Sequence, residues 1–291
     1  MTRRTVRRSL AALFVAIALT APAQAQAQSP VEFPAQAVPF SVPGFLRQTV
    51  LFRPSQGAGR FPAIVVLPTC GGVQRHIYDW AERLTDAGYA VLVIDSLTPR
   101  NFPTSCGKAP NLRYEAMAQD VAAGIAYLRT RPEIDGSRLG LMGFSHGAGA
   151  ALRMASGNYR RQARISLDGL RAVAVFYPWC ATAGQAFVGG GTSTDMFFGE
   201  VATPTRLFLG AIDTETPAGE CTYRVDRLAA RGQPIAYKLY PDTTHHFDAK
   251  ENGLEGRRNQ SGVLYRYNPA ATDDAWREVK ALFDREIKGT D

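Results

Sequence analysis

The sequence predicts an α/β domain built on a mostly parallel, doubly wound sheet with helices on both faces. Three observations predict it. Apolar runs of four to eight residues recur, segments of helical periodicity separate them, and the alternation continues for the length of the chain beyond its first thirty residues. Unbroken Val/Ile/Leu runs are what strands covered on both faces require, since neither face meets water.

The first thirty residues stand outside that pattern. Arg3, Arg4, Arg7 and Arg8 precede an apolar run at 10–21, and the small-residue sites Ala21-Pro22-Ala23, Ala23-Gln24-Ala25 and Ala25-Gln26-Ala27 follow. This is the layout of an export signal cleaved near Ala25 or Ala27, and the run is too short to span a bilayer. The flanks of Arg3-Arg4 match a twin-arginine signal poorly, which favours the general secretory route. Residues 1–27 are therefore expected to be a signal peptide and 28–291 a single domain, periplasmic or secreted and without membrane association after cleavage. Of the formal net charge of +7, four positive charges sit in the signal, which has no acids, leaving +3. That balance argues against a nucleic-acid partner.

Alternating apolar residues around Val50 and Phe52 suggest an early strand, and the turn residues at 55–59 end it. The runs "FPAIVVLP" from 61, "YAVLVID" from 89, "RLGLMGFS" from 138, "AVAVFYP" from 172, "RLFLGAID" from 206 and "IAYKLYP" from 235 read as strands. Ile77, Trp80, Ala81 and Leu84 fall on one helical face and stop at Gly88. Met117, Val121, Ile125 and Leu128 mark a second helix, 148–154 a third and 222–231 a fourth. A last helix is expected from Thr272, with Asp273 and Asp274 in its first turn and Trp276, Val279, Phe283 and Ile287 as its buried stripe. No internal repeat or linker divides the chain.

In open parallel sheets, reactive groups gather in the loops after the carboxyl ends of strands. Ser145 lies there, in Gly143-Phe144-Ser145-His146-Gly147, between an apolar run and a helix of small residues. Glycines two residues either side allow a turn sharp enough to lift the hydroxyl clear of the sheet, so Ser145 is the candidate nucleophile. Its hydroxyl needs a base. His146 would point away from the elbow and His76 precedes a helix, which leaves His245 and His246 in the loop after the last strand. Asp213, at the end of the strand from Arg206, is the carboxylate that would fix the imidazole; Glu215, Asp195 and Asp242 read as solvated loop acids. Backbone N–H donors for an oxyanion are expected from His146 and from "LPTCGG", at Cys70 with Gly71 close behind.

Four cysteines in a chain bound for an oxidising compartment favour two disulfides over metal ligation, with free thiols as the alternative. Cys70–Cys106 and Cys180–Cys221 are the expected pairs, because each would join loops that follow neighbouring strands. A bridge at Cys70 would also hold the oxyanion loop rigid.

From Phe61 to the last helix the chain resembles the dienelactone hydrolase family of the α/β-hydrolase fold. The pieces that carry the resemblance are "GFSHGAG", "FLGAID" continuing to Pro217, "YPDTTHHFD" and "YNPAATDDAW". It implies an α/β-hydrolase fold, and it selects His245 over His246, because the family histidine precedes a phenylalanine, here Phe247, by two. Dienelactone hydrolase itself uses a cysteine, whereas this chain has Ser145. Its substrate-carboxylate clamp would place one arginine near Arg100, one residue displaced, and the second at Ala249, so half of that clamp is missing.

The sequence thus points to an exported serine hydrolase that cleaves a small-molecule carboxylic ester or lactone through an acyl-enzyme on Ser145, with Asp213 and His245 completing the site. Arg100 and Trp179 are candidate pocket residues, and no metal or organic cofactor is implied. A catalytically silent binding protein of the same fold is the alternative, as is an acyltransferase or peptidase using the same three residues.

Overall fold

The structure is a computed structural model. It describes residues 37–40 (backbone only), 49–55, 59–107, 112–180, 197 and 199–289. The expected signal peptide, the middle of the 55–59 turn and Asp195 lie outside the described residues.

An eight-stranded sheet in the order β1-β2-β4-β3-β5-β6-β7-β8 carries the fold. Its strands are β1 (Ala37–Phe40), β2 (Thr49–Phe52), β3 (Phe61–Leu67), β4 (Ala90–Val93), β5 (Ile134–Phe144), β6 (Leu170–Phe176), β7 (Thr205–Gly210) and β8 (Ile235–Tyr240). From β4 through β8 neighbouring strands pair in parallel, while β1 and β2 are antiparallel additions at one edge. This is the mostly parallel sheet that the apolar runs predict, and it is consistent with the α/β-hydrolase fold that the resemblance implies.

Strand β3 shows why the runs are unbroken. Ala63, Val65 and Leu67 face a core layer shared with α2 (Tyr114–Thr130), α3 (His146–Ala155) and α5 (Ala218–Ala229). Ile64 and Val66 face the other layer, formed with α1 (Arg75–Asp86) and α6 (Pro269–Phe283). All five are fully buried, so each of the four larger side chains contributes about 1.5–3 kcal/mol of transfer free energy whichever way it points. Helix α1 ends where Gly88 takes φ +89°, the left-handed conformation that suits glycine.

Several boundaries differ from expectation. Strand β5 begins at Ile134, ahead of its apolar run. Helix α5 begins at Ala218 because Pro217 serves as its N-cap and Glu220 fills its first turn. Helix α6 begins at Pro269, with Asn268 accepting from the Ala271 amide, so Asp273 and Asp274 are not in its first turn. Three further pieces carry no strong periodicity: α4 (Gly157–Ala163) and the paired β9 (Arg257–Arg258) and β10 (Leu264–Tyr265).

Candidate active site

Four loops at the carboxyl ends of parallel strands converge: the one after β3 with Cys70, the turn after β5 with Ser145, the one after β7 with Asp213 and the one after β8 with His245. Ser145 holds φ +49° and ψ −110°, a strained conformation for a residue with a side chain, between the last residue of β5 and the first of α3. Close backbone approach explains the flanking glycines. A Cβ on Gly143 would stand 2.4 Å from the Gly147 carbonyl oxygen, and one on Gly147 would stand 2.4 Å from the Pro68 carbonyl oxygen. The Gly147 amide donates to that Pro68 oxygen at 3.1 Å, and the Ser145 amide donates to the Phe176 carbonyl at 2.9 Å. The turn is thereby locked against the ends of β3 and β6.

The side chains form one line. His245 Nε2 is 3.0 Å from Ser145 Oγ, and His245 Nδ1 is 2.7 Å from Asp213 Oδ2. Asp213 Oδ1 accepts from the Glu215 and Thr216 amides at 2.8 and 2.9 Å, and Thr216 Oγ1 donates to Asp213 Oδ2 at 2.8 Å. Both Asp213 and His245 are buried. Burial would push the His245 imidazole down; the Asp213 carboxylate outweighs it and holds the ring above the ordinary histidine value. Burial would likewise push Asp213 up, but the imidazole and the Thr216 donors keep it below the ordinary carboxylate value. A neutral imidazole so arranged accepts a proton from the serine at Nε2 and keeps its own at Nδ1, against the carboxylate.

The structure places the adjacent histidines in different surroundings. His246 takes φ +52° and stacks its ring on Tyr265 at 5.2 Å, and burial drives its pKa well below the ordinary value. His76 lies within α1 rather than before it, fully buried, with Nδ1 3.3 Å from Glu251. The His146 ring turns toward the loop that carries Cys106. Its Nδ1 is 3.1 Å from Ser105 Oγ, it packs on Tyr114 at 5.0 Å, and burial pushes its pKa down to about 4.

Cys70 and Cys106 are disulfide-bonded, as are Cys180 and Cys221. The Cys70 carbonyl accepts from the Ser105 amide at 2.8 Å and from the Ser105 and Thr104 hydroxyls. Ser105 therefore ties together the two residues, Cys70 and His146, whose amides are the expected oxyanion donors. The His146 amide is the first of α3, where helix geometry supplies no acceptor. The Cys70 amide donates to no protein acceptor among the described residues.

Arg100 is placed differently from expectation. Its guanidinium makes a two-pronged ion pair with the buried Asp120 of α2, at 2.8 and 2.9 Å, and donates to the Ser96 carbonyl. These bonds anchor the loop after β4 to α2. Ala249, where the second arginine would fall, is buried. Trp179 is half-buried beside Cys180, and the segment 181–196 that follows lies outside the described residues. Thr216, Ser105 and Tyr265 are neighbours of the site that the sequence pattern does not single out, and Glu215, which reads as a solvated loop acid, accepts a hydrogen bond from the Tyr265 hydroxyl. Among the described residues no group of three His, Cys, Asp or Glu side chains is arranged to hold a metal ion.

The model of the dienelactone hydrolase family matches residues 48–287. The chain belongs to the dienelactone hydrolase family. A protein of Synechocystis named for carboxymethylenebutenolidase activity is 24% identical over 265 residues, covering 85% of this chain and 93% of its own. The bis(hydroxyethyl) terephthalate hydrolase of Streptomyces coelicolor is 30% identical over 240 residues, covering 74% and 68%. A cutinase of Thermobifida fusca is 30% identical over 173 residues, covering 54% and 52%. Among solved structures, a dienelactone hydrolase-named protein of Klebsiella pneumoniae superposes with a TM-score of 0.61 at 20% identity, covering 81% of this chain and 92% of that one. The likeness to that structure is one of fold. The named relatives make this a hydrolase family whose members include proteins named for ester and lactone hydrolysis.

Proposed function

We propose that this chain is a serine hydrolase of carboxylic esters or lactones that works through an acyl-enzyme on Ser145. The observation that carries the reading is the line Asp213–His245–Ser145, with hydrogen-bond distances of 2.7 and 3.0 Å, beside the Cys70 and His146 amides. Ser145 Oγ attacks the carbonyl carbon as His245 Nε2 takes its proton. The oxyanion lies against the two amides, and Asp213 stabilises the imidazolium. As the tetrahedral centre collapses, the C–O bond to the leaving alcohol breaks and Nε2–H returns the proton to that oxygen. Water then repeats the sequence and releases the acid. The disulfides are compatible with an exported protein, and no helix among the described residues is long and apolar enough to cross a membrane. We assign 1–27 to an export signal and 28–291 to one catalytic domain.

The test uses a fluorophosphonate and a short p-nitrophenyl ester on the purified protein. Labelling is expected on the Ser145 peptide by mass spectrometry, and Ser145→Ala is expected to lose at least a thousandfold in kcat, the scale of losing a nucleophile whose partners act as a unit. Turnover by Ser145→Ala at the wild-type rate would refute the assignment. Absence of labelling in the wild type would favour a silent binding protein, and product transferred to an added alcohol or amine instead of water would favour an acyltransferase.

A further inference from the structure

Glu215 stands two residues beyond Asp213, yet its carboxylate meets the opposite nitrogen of the same imidazole. Its Oε2 lies 4.0 Å from His245 Nε2, the nitrogen that faces Ser145 Oγ. Glu215 is also held in place. The Tyr265 hydroxyl donates to Oε2, Asn259 Nδ2 donates to that hydroxyl at 2.9 Å, and a backbone bridge ties Tyr265 to His245. Its other oxygen, Oε1, has no protein partner among the described residues, and the side chain keeps 31% of its surface exposed. The charged groups around it do not cancel it. Asp213 is occupied by His245 and Thr216, while Arg257 lies over the Tyr265 ring at 5.5 Å, bonds Asn252 and forms no ion pair with Glu215.

We propose that Glu215 reads the leaving group, accepting a hydrogen bond from a hydroxyl carried next to the ester oxygen and repelling a carboxylate in that place. The substrate class is then glycol-type esters, in which the departing alcohol bears a second hydroxyl. The inference rests on the acyl-enzyme reading above. In that reaction the leaving oxygen must come within hydrogen-bond reach of His245 Nε2 to receive its proton. A substituent two atoms farther along the alcohol is therefore brought beside a carboxylate that sits 4.0 Å from that nitrogen. A donor there meets an ionised acceptor with a free lone pair, and an anion there meets a fixed like charge in a partly desolvated site.

The experiment compares the 2-hydroxyethyl, 2-methoxyethyl and carboxymethyl esters of butyric acid, which share an acyl group and differ in the leaving alcohol. For the full chain, kcat/KM is expected to fall in that order, with the hydroxyethyl ester about thirtyfold above the carboxymethyl ester: about tenfold from the charged hydrogen bond and a few-fold more from repulsion reduced by solvent. In Glu215→Gln the ratio is expected to collapse to about threefold, mainly through a lower kcat/KM for the hydroxyethyl ester as the charged hydrogen bond is lost, with a smaller gain for the carboxymethyl ester, and Glu215→Asp, which withdraws the charge by one methylene, falls between. A wild-type ratio near one, or an unchanged ratio in Glu215→Gln, overturns the proposal. Fluorophosphonate labelling of Ser145 in the same preparations keeps the two readings apart. A labelled enzyme with no leaving-group preference overturns the role of Glu215 alone, whereas an unlabelled wild type overturns the acyl-enzyme reading on which it rests.

Discussion

Substituting Gly147 by alanine tests whether the turn at Ser145 and the oxyanion loop are one mechanical unit. The added Cβ would lie 2.4 Å from the Pro68 carbonyl oxygen and 2.5 Å from that of Leu67, both backbone atoms at the end of β3. To reach 3.0 Å, the shortest separation real Cβ atoms show, the start of α3 must move at least 0.6 Å from β3. That movement stretches the 3.1 Å bond from the Gly147 amide to Pro68 beyond hydrogen-bonding range. Overpacking of this kind costs about 1–3 kcal/mol and the lost buried hydrogen bond about 1 kcal/mol more, against roughly 1 kcal/mol gained in helix propensity. The net loss is about 2 kcal/mol, or about 4–8 °C in Tm for a domain of this size. The same shift separates Ser145 from the Cys70 amide. Since complete loss of one oxyanion donor costs 10²–10³ in rate, kcat is expected to fall by about tenfold or more. Thermal melting and p-nitrophenyl ester turnover, normalised to the fraction of Ser145 labelled by fluorophosphonate, measure both effects. Gly219→Ala in α5, where nothing lies within 4 Å of the new Cβ, is the control and should melt no lower than the parent. A Gly147→Ala protein that melts within 1 °C of the parent and keeps kcat within twofold would refute the reasoning. A lower Tm with unchanged kcat would refute its link to the oxyanion loop.

Two further perturbations separate electrostatics from scaffold. The Asp213 carboxylate holds the His245 pKa above its ordinary value, and the base acts only when neutral, so wild-type kcat/KM should fall as pH drops through that raised value. Asp213→Asn removes the upward push. Its acidic limb should move to lower pH while kcat drops by about 10³–10⁴, and a pH–rate profile with an unmoved limb would count against Asp213 as the partner. Removing Cys70–Cys106 by a double serine substitution opens a loop of 36 residues, worth about 4 kcal/mol in chain entropy, and frees the Cys70 loop from the Ser105 segment. Stability in urea and kcat should both fall. The same change at Cys180 and Cys221, with a loop of 41 residues, should cost similar stability with a much smaller loss of kcat. Equal losses of kcat in the two double variants would show that the first bridge has no special tie to the site.

The sheet is legible in the sequence because each of its central strands has to satisfy two core layers at once, which leaves a continuous apolar run as its signature. Strand β1 escapes that logic. It is an edge strand containing Pro39, and an edge asks for neither alternation nor an unbroken run. Strands β9 and β10 have two residues each, too few for any period to register. The start of α6 was readable from Asn268-Pro269, a cap followed by proline at the first helical position, but the paired acids at 273 and 274 are a more conspicuous sign of a first turn.

The site divides along the same physical line. Ser145, Asp213 and His245 follow strand ends, so chain order and topology together bring them to one side of the sheet, and a linear reading can find them. Arg100 also follows a strand end, but its position says nothing of where its guanidinium points. The answer depends on Asp120, a lone acid on the otherwise apolar face of α2, whose buried carboxylate needs a cation more than any substrate does. Glu215 is the converse case. As a loop acid two residues past Asp213 it reads as solvated, and only the bridge between His245 and Tyr265, twenty positions apart in sequence, fixes its carboxylate beside Nε2. The residues proposed to break the bond follow the topology of the sheet. Glu215, proposed to select what is broken, is placed by loops packing on loops, and loop packing has no periodicity from which a sequence can disclose it.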